Sequence, residues 1–342
     1  MLHKYADAVN GASRGAKPPS PIIDSLGRRL TAPCCPMTSA IWVPAALVAG
    51  LFQAWRTALQ QRLRAELSLS GAGLVRYLYG APVAIALALG YFAAQGLSTP
   101  RISMPFLIAA AGGGLAQIVG TQLLIAAFGY RNFVVGTAFA KTEALQAAVF
   151  AWLLLGEHLS LPAIAGIALG VAGVLVLALG GVGQLTPKQV VASLGQPAAL
   201  VGIGAGAAFA LTSVLVKRAT LSLELPDPVA AALATLAVVM LLQTLMHGAF
   251  VALREPATLR RVLVTWRSSG QVGLLASLGS ACWFIGFATA PVALVRIVGQ
   301  VEVAFTLAFA RIYLGERTRS HEGIGLLLVA AGVVFALAGA LA

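Results

Sequence analysis

One pattern occurs twice in this sequence: as TEALQAAVFAWLLLGEHLSLPAIAGIALGVAGVLVL at residues 142–177 and as VEVAFTLAFARIYLGERTRSHEGIGLLLVAAGVVFAL at residues 301–337. Each copy has an acid near the start of an apolar run, then Leu-Gly-Glu, then a second apolar run rich in glycine. An apolar run of about 20 residues is long enough for one helix to cross a bilayer. The pattern therefore predicts two similar pairs of membrane-spanning helices.

The two copies belong to a longer internal repeat. At a single offset Glu143 aligns with Glu302 and Glu157 with Glu316, and these matches are informative because the whole chain has only eight glutamates. Further matches at the same offset are Gly114 with Gly273, Gly120 with Gly279, Phe128 with Phe287, Gly166 with Gly325 and Gly173 with Gly332. The sequence therefore predicts an internal duplication that includes several spans in each half.

The composition places the chain in a membrane. Of its 342 residues, 59% are hydrophobic and 10% are charged, whereas about 25% of residues are charged in a typical soluble domain. Disorder needs low hydrophobicity, and a disulfide framework needs more than the three cysteines present. We predict an all-α polytopic membrane protein with ten transmembrane helices, at residues 40–60, 71–95, 105–128, 133–155, 162–183, 197–217, 228–252, 270–290, 292–314 and 322–341.

Each predicted repeat contains five spans, so the second repeat must enter the membrane in the opposite orientation to the first. Two inverted repeats related by an axis in the membrane plane are typical of secondary transporters. We expect residues 39–183 to form the first repeat, 184–196 a linker and 197–342 the second repeat. Residues 1–38 are polar and rich in proline, so we expect a disordered tail, with Met37 as an alternative start.

The orientation of the chain in the membrane stays open at this point. Loops after the odd-numbered spans carry ten Lys and Arg residues, whereas loops after the even-numbered spans carry only Arg101, Lys217 and Arg218. By the positive-inside rule these loops favour termini outside the cell. The five basic residues of the tail favour a cytoplasmic N-terminus instead.

The repeated pattern resembles the ten-helix, EamA-type members of the drug/metabolite transporter superfamily over residues 40–342. The shared features are the mid-helix acid, the apolar run, the Leu-Gly-Glu turn and the glycine-rich helix, each present twice. In this family a proline often follows the acid, whereas Ala144 and Val303 stand at these positions here. The resemblance implies a transporter of small metabolites or drugs, commonly an exporter.

We therefore expect a secondary active transporter that works by alternating access, with proton coupling as a hypothesis. Its expected partners are a small-molecule substrate and the lipid bilayer, without nucleic acid, and its expected place is a bacterial inner (cytoplasmic) membrane, as a monomer or homodimer. We expect no enzyme activity, cofactor or metal, because His, Asp and Glu are not clustered as acid–base or metal chemistry requires. Two alternatives remain: a lipid-carrier flippase on the same fold and an integral membrane lipid-modifying enzyme.

Charged residues inside predicted spans are the first candidates for a binding site, because a charge at the centre of a bilayer costs about 2.5–3.5 kcal/mol on insertion scales. Glu143 and Glu302 lie at equivalent depths and could bind a cationic group or exchange protons. Alternatively, each acid is a neutral, protonated structural residue, or forms a permanent ion pair with Lys141. We expect Lys141 or Arg296 to neutralise one of the acids. The candidate set also includes Gln300, which is equivalent to Lys141, and Gln117.

Other polar or glycine-rich features have a structural interpretation. The glycines of 112–114 and 202–206 are expected to allow close helix packing. Arg56 is expected to extend towards the loop after its span. Glu157 and Glu316 follow glycines at predicted helix ends, so we expect them to act as turn and cap residues.

Overall fold

Helices form all the regular secondary structure in the described part of this computed structural model. The described residues are 41–63, 66–127, 138–179, 195–314 and 320–341. In chain order the helices are α1 (Trp42–Leu63), α2 (Leu69–Leu78), α3 (Gly80–Gln95), α4 (Met104–Ala127), α5 (Glu143–Leu155), α6 (Leu161–Leu179), α7 (Pro197–Leu221), α8 (Pro228–Arg254), α9 (Pro256–Val264), α10 (Trp266–Thr289), α11 (Val292–Gly299), α12 (Glu302–Leu314) and α13 (Ser320–Leu341).

Local sequence explains where several of these helices begin and end. Asp227 precedes α8, and its Oδ1 accepts hydrogen bonds from the amides of Val229 and Ala230, which stabilises the first turn. Gly96 and Gly156 follow α3 and α5 with positive φ angles of 63° and 68°. This conformation is unfavourable for a residue with a Cβ, so glycine allows both helices to end in a tight turn.

Seven helical segments of the described chain are long and apolar enough to cross a membrane. They are Leu69–Gln95, Met104–Ala127, Ala138–Leu155, Pro197–Leu221, Pro228–Arg254, Trp266–Thr289 and Gly323–Ala340. Where the structure describes their ends, these agree with the predicted spans to within a few residues. The predicted tail, 1–38, and most of the predicted linker lie outside the described residues.

The predicted second span is divided between α2 and α3. Two further features differ from the predicted spans. The sequence predicts a connection between Arg254 and Arg267, but Pro256–Val264 form the short helix α9. The predicted ninth span is divided, because α11 ends at Gly299 and α12 begins at Glu302. The hydrophobic pattern of the sequence does not predict helix α9 or the break after Gly299, because α9 is a short amphipathic segment and the break leaves the ninth span apolar.

The fourth and ninth predicted spans turn at equivalent positions. In the ninth, the amides of Gln300 and Val301 donate to carbonyls three residues earlier. Lys141 and Thr142, the equivalent residues of the fourth span, make the same two hydrogen bonds. Backbone hydrogen bonds between residues three positions apart form a turn that is narrower than a turn of α-helix. The half-helices α5 and α12 therefore begin at their acidic residues, although neither acid is followed by the proline that is frequent in the family.

The most extensive helix contacts in the described chain join α6 to α13, α4 to α7 and α1 to α10. A Cβ added at Gly166 would lie 2.7 Å from the carbonyl oxygen of Gly332, and one added at Gly173 would lie 2.9 Å from that of Gly325. These distances leave no room for a side chain, so the two backbones are in direct contact. Because the earlier glycine of α6 faces the later glycine of α13, these helices run antiparallel.

The glycine-rich stretches of α4 and α7 also lie at helix contacts. A Cβ added at Gly113 would lie 3.4 Å from a methyl group of Val216, and one added at Gly206 would lie 2.8 Å from the carbonyl oxygen of Ala140. The expected packing role of these stretches is confirmed. Other residues of these helices, among them Gln117 and Thr121 of α4 and Thr212 of α7, line a cavity.

Candidate functional site

A cavity of about 410 Å³ lies between the helices of the described chain. Small-molecule sites usually have volumes of roughly 300–1,000 Å³. Five of the six candidate residues predicted from the sequence line this cavity: Gln117, Lys141, Glu143, Arg296 and Glu302. The sixth, Gln300, is buried outside the lining, and its Nε2 donates to the backbone oxygen of Lys141 at 3.1 Å.

Glu302, at the start of α12, accepts two short hydrogen bonds. Lys141 Nζ lies 2.7 Å from its Oε2, and Gln53 Nε2 lies 2.6 Å from the same atom. Gln53 in turn accepts a hydrogen bond of 3.1 Å from Trp283 Nε1. The carboxylate therefore has both a cationic partner and a neutral donor whose own orientation is fixed by the cavity wall.

Glu143, at the start of α5, has a looser partner. Its Oε1 lies 3.4 Å from Arg296 Nη1, which is long for a hydrogen bond. The guanidinium is held by other groups: Nε donates to Ser213 Oγ at 2.8 Å, and Nη2 donates to the carbonyl of Phe209 at 3.2 Å. It also lies 4.8 Å from the centroid of the Trp283 ring, in a cation–π contact. Arg296 is thus anchored independently of Glu143.

Each acid is paired with a cation from the other half of the chain. Lys141 is two residues from Glu143 but contacts Glu302, and Arg296 contacts Glu143. The prediction that Lys141 or Arg296 neutralises one acid is confirmed for both cations. An ion pair with Lys141, one of the structural alternatives, is present, and its acid is Glu302 rather than the nearby Glu143.

Gln117 connects the cavity to the contact between α4 and α8. Its Oε1 accepts a hydrogen bond of 2.7 Å from Gln243 Nε2, and the same nitrogen donates to the carbonyl of Gly114 at 3.1 Å. Gln243 is fully buried, so these bonds satisfy its donor away from water. Gln117 therefore lines the cavity from a fixed position.

Two lining residues that the sequence analysis did not assign to a site are Arg56 and Arg76. Arg76 is buried on α2, and its Nη1 donates to Thr121 Oγ1 at 2.8 Å. Arg56 lines the cavity, although a snorkelling side chain would extend towards the loop after α1. A charge inside an apolar span is costly and therefore marks a candidate site, and this argument applies to Arg76 as well as to Glu143.

A second charged cluster joins α7 to the residues that follow α5 and α10. Glu157 and Lys217 form an ion pair of 2.5 Å, in which the glutamate is buried and the lysine side chain is 11% exposed. The amide of Val292, at the start of α11, donates to Glu157 Oε2 at 2.9 Å, and Lys217 Nζ donates to the carbonyl of Ala290 at 2.8 Å. The amide of Glu157 donates to the carbonyl of Ala151 at 3.2 Å, so its predicted turn role at the end of α5 is confirmed. Its side-chain contacts with α11 and Lys217 were not predicted, and Glu316 lies outside the described residues.

The residues that line the cavity are distributed unevenly along the helices. The lining residues Gln60, Ile125 and Leu177 lie within three residues of the ends of α1, α4 and α6. On α5 and α7, by contrast, no described lining residue lies beyond Glu143 or Thr212, although these helices continue for several turns. The described lining therefore extends to the ends of α1, α4 and α6 and not along the later turns of α5 and α7.

A solved structure shares this fold. It is a crystal structure of another protein with 19% identical residues, and it matches over 86% of this chain and 98% of its own with a TM-score of 0.65. No curated protein sequence matches the chain. Residues 196–338 match the model of the EamA-like transporter family. The second half of the chain is therefore similar to the EamA-like transporter family, which is part of the drug/metabolite transporter superfamily.

Proposed function

We propose that the protein is a secondary transporter that exports a small metabolite or drug by alternating access, with the central cavity as its binding site. The main supporting observation is the cross-pairing of Glu143 and Glu302 with cations of the opposite half of the chain. A site built from both halves changes when the halves move relative to each other. The family match supports transport, and the export direction follows what the family resemblance implies.

Symmetric packing supports ten helices arranged as two inverted five-helix repeats. In the alignment of the two halves, Gly166 is equivalent to Gly325, and Gly332 is equivalent to Gly173. The contact between Gly166 and Gly332 therefore has a counterpart between Gly325 and Gly173. Within each pair, a Cβ added at either glycine would lie equally far from the carbonyl oxygen of the other glycine, at 2.7 Å in the first pair and 2.9 Å in the second. This exchange is expected for a two-fold axis, and the antiparallel crossing fits an axis in the membrane plane.

The position of the cavity supports alternating access. In this conformation we assign the open end to the side where α1, α4 and α6 end and the closed end to the Glu157–Lys217 pair. Glu157 follows α5 of the first proposed repeat, and Lys217 lies on α7 of the second. A rocking motion of the repeats would separate these two residues and expose the opposite side of the cavity.

Glu143 is the better candidate for proton coupling. Protonation of Glu302 would weaken short hydrogen bonds from Lys141 and Gln53. Protonation of Glu143 would weaken one contact of 3.4 Å, and Arg296 would keep its bonds to other groups. We therefore propose that Glu143 carries the proton during transport and that Glu302 stays ionised.

Metabolite profiles of overexpressing bacteria test the transport function, since the proposed location is a bacterial inner membrane. Cells with the wild-type protein are compared with cells that carry Glu143→Gln or Glu302→Gln at equal membrane levels. We expect at least one small metabolite to accumulate in the medium of the wild type and not of the variants. The matched control, Glu66→Gln, changes an exposed acid outside the cavity and should behave as wild type. Identical profiles for wild type and empty vector would reject the function.

Proteoliposomes test the coupling separately. With the transported metabolite added and a pH-sensitive dye inside, wild-type transport should move protons and respond to an imposed pH gradient. Glu143→Gln should still exchange the metabolite across the membrane but should no longer move protons with it. Proton movement at the wild-type rate in this variant would exclude Glu143 as the coupling residue.

A further inference from the structure

We propose that the substrate of the cavity is a small organic anion whose carboxylate or phosphate group is bound by Arg56 and Arg76. This inference rests on the proposed transport function and names the substrate class of the same cavity. Its starting point is the charge of the lining. The described lining contains four cationic side chains and two carboxylates: Arg56, Arg76, Lys141 and Arg296, against Glu143 and Glu302.

Neither carboxylate is available to neutralise the two arginines fully. Glu302 is paired with Lys141, and Glu143 contacts Arg296. Arg56 interacts electrostatically with Glu302, but no ion pair joins Arg56 or Arg76 to an acid within the described residues. The cavity therefore keeps an excess of two positive charges when all six groups are ionised.

The two arginines also have unused hydrogen-bond donors. The Nε atoms of Arg56 and Arg76 are buried and have no hydrogen-bond partner in the described chain. Arg76 is only 4% exposed, and the Thr121 hydroxyl that accepts from its Nη1 is neutral. A buried donor is costly unless an acceptor reaches it. The planar guanidinium fits two oxygens of one carboxylate or phosphate at once, so an anion would supply both acceptors and charge.

Mutual repulsion strengthens the same conclusion. Arg56 and Arg76 line the same cavity, and two like charges in a poorly hydrated site raise the energy of the empty cavity. An anion between them removes this repulsion. A cationic substrate, by contrast, would enter a positive cavity and would have to displace Lys141 or Arg296 from its acid.

The rest of the lining leaves room for an organic body. Aromatic and aliphatic side chains cover much of the wall: Leu124, Phe209, Leu275, Phe284 and Phe287. The cavity volume of about 410 Å³ accepts a molecule of metabolite size. We therefore expect a compact substrate with one anionic group and an apolar or weakly polar remainder.

Ligand-induced thermal stabilisation of the purified full-length protein in detergent tests the charge preference directly. Benzoate, benzamide and benzylamine share one ring and differ in charge, and succinate, succinamide and 1,4-diaminobutane form a second matched set. Glycerol 3-phosphate and glycerol distinguish a phosphate group from a carboxylate. Each probe is used at millimolar concentration, near neutral pH and at constant ionic strength, because a ligand that binds the folded state raises its melting temperature. We expect stabilisation by anionic members only.

Variants assign the effect to the two arginines. Arg56→Gln and Arg76→Gln should each weaken binding of the stabilising anion about tenfold or more, equivalent to about 1.4 kcal/mol. Arg56→Lys and Arg76→Lys keep the charge and should lose only about threefold, because lysine lacks the bidentate geometry. Arg260→Gln, which changes an exposed arginine of α9, is the matched control and should bind as wild type. If Arg76→Gln fails to fold without its bond to Thr121, Arg56→Gln decides.

Three outcomes would overturn the anion proposal: stabilisation by an amide or amine instead of the anion, no stabilisation by any anion, or anion binding that is unchanged in both glutamine variants. Transport in proteoliposomes is measured separately. Anion binding without transport would remove the proposed function and leave the binding site intact. Transport of a neutral or cationic metabolite would keep the function and remove this substrate class.

Discussion

The Lys141 ammonium lies 2.7 Å from the Glu302 carboxylate and joins the two halves of the chain at the cavity. The lysine side chain is 24% exposed and the glutamate side chain 10%. Water screens such a pair less than it screens a pair on a protein surface. Each residue therefore depends on the other, and the loss of one partner leaves a poorly hydrated charge without its counter-charge.

Charge exchange tests this pair. We expect Lys141→Glu and Glu302→Lys each to reduce transport by about tenfold or more, because two like charges then face each other across the cavity. The double variant restores opposite charges at the same place and should recover part of the lost activity. The measurement is export of the metabolite identified for the wild type, at equal protein levels in the membrane.

A second double variant controls for the total charge of the cavity. Lys141→Glu with Glu143→Lys has the same charge as wild type, but the two residues do not form a pair in the structure. We expect no recovery in this variant. Equal recovery in both double variants would show that only the total charge matters and would contradict a specific contact between Lys141 and Glu302.

The positions of most spans follow from the sequence because bilayer thickness fixes the length of an apolar run. The internal match of Glu143 with Glu302 likewise predicts two related acids at similar depths. The turns before these acids are less accessible to prediction, since the family's proline is absent at Ala144 and Val303. Both turns retain right-handed helical backbone angles at Thr142 and Gln300, so no residue of special conformation marks them.

The partners of the acids depend on how distant helices cross. Glu302 meets a lysine 161 residues away and a glutamine 249 residues away, and no local spacing encodes such contacts. Gln53, in the middle of α1, therefore has no signal in the sequence that identifies it as a partner of Glu302. Arg76 does have one, because it is a charge within an apolar span. The family resemblance drew attention to the acids of the fourth and ninth spans and away from this arginine.

The antiparallel crossing of α6 and α13 predicts a symmetric response to substitution. We expect Gly166→Ala and Gly332→Ala each to destabilise the protein by about 1–3 kcal/mol, because the added methyl group would force two backbones apart. The two losses should be similar, since each glycine faces the other. The measurement is thermal unfolding of the purified protein in detergent.

Gly323 provides a matched control on the same helix. A Cβ added there meets nothing within 4 Å, so Gly323→Ala should leave stability unchanged or raise it by up to about 1 kcal/mol through helix propensity. A loss at Gly323 as large as at Gly332 would mean that glycine flexibility, rather than close contact, explains the effect.

The closed end of the bundle should show strong coupling between Glu157 and Lys217. Lys217→Leu leaves the buried carboxylate without its cation and should cost about 3–5 kcal/mol. The double variant Lys217→Leu with Glu157→Gln removes the charge and keeps an acceptor for the amide of Val292, so it should recover most of this loss. Thermal unfolding of the two single variants and the double variant gives the coupling. Additive losses would contradict the ion pair.

Glu255, between α8 and α9, links these helices to the start of α2. Its Oε1 accepts a hydrogen bond of 2.8 Å from Ser70 Oγ, and its Oε2 accepts one of 2.8 Å from Ser68 Oγ and one of 3.0 Å from Thr258 Oγ1. These hydrogen bonds lower the pKa of the Glu255 carboxyl below its ordinary value of 4.5, and the bond from Ser70 has the largest effect. Hydroxyl groups that donate hydrogen bonds to a carboxylate stabilise its ionised form.

Acid should therefore remove the contribution of Glu255 to stability. The Glu255 carboxyl binds a proton less readily in the folded state than in the unfolded state. Its stabilising effect is therefore complete above the ordinary pKa of 4.5 and is lost as the pH falls through the lowered pKa of the folded state. We expect Glu255→Gln to unfold at a lower temperature than wild type near pH 7, with a difference that shrinks towards about pH 4 and below. Ser70→Ala removes the first donor and should reproduce part of this behaviour. A difference that stays constant over this range would show that Glu255 acts by packing and not by its charge.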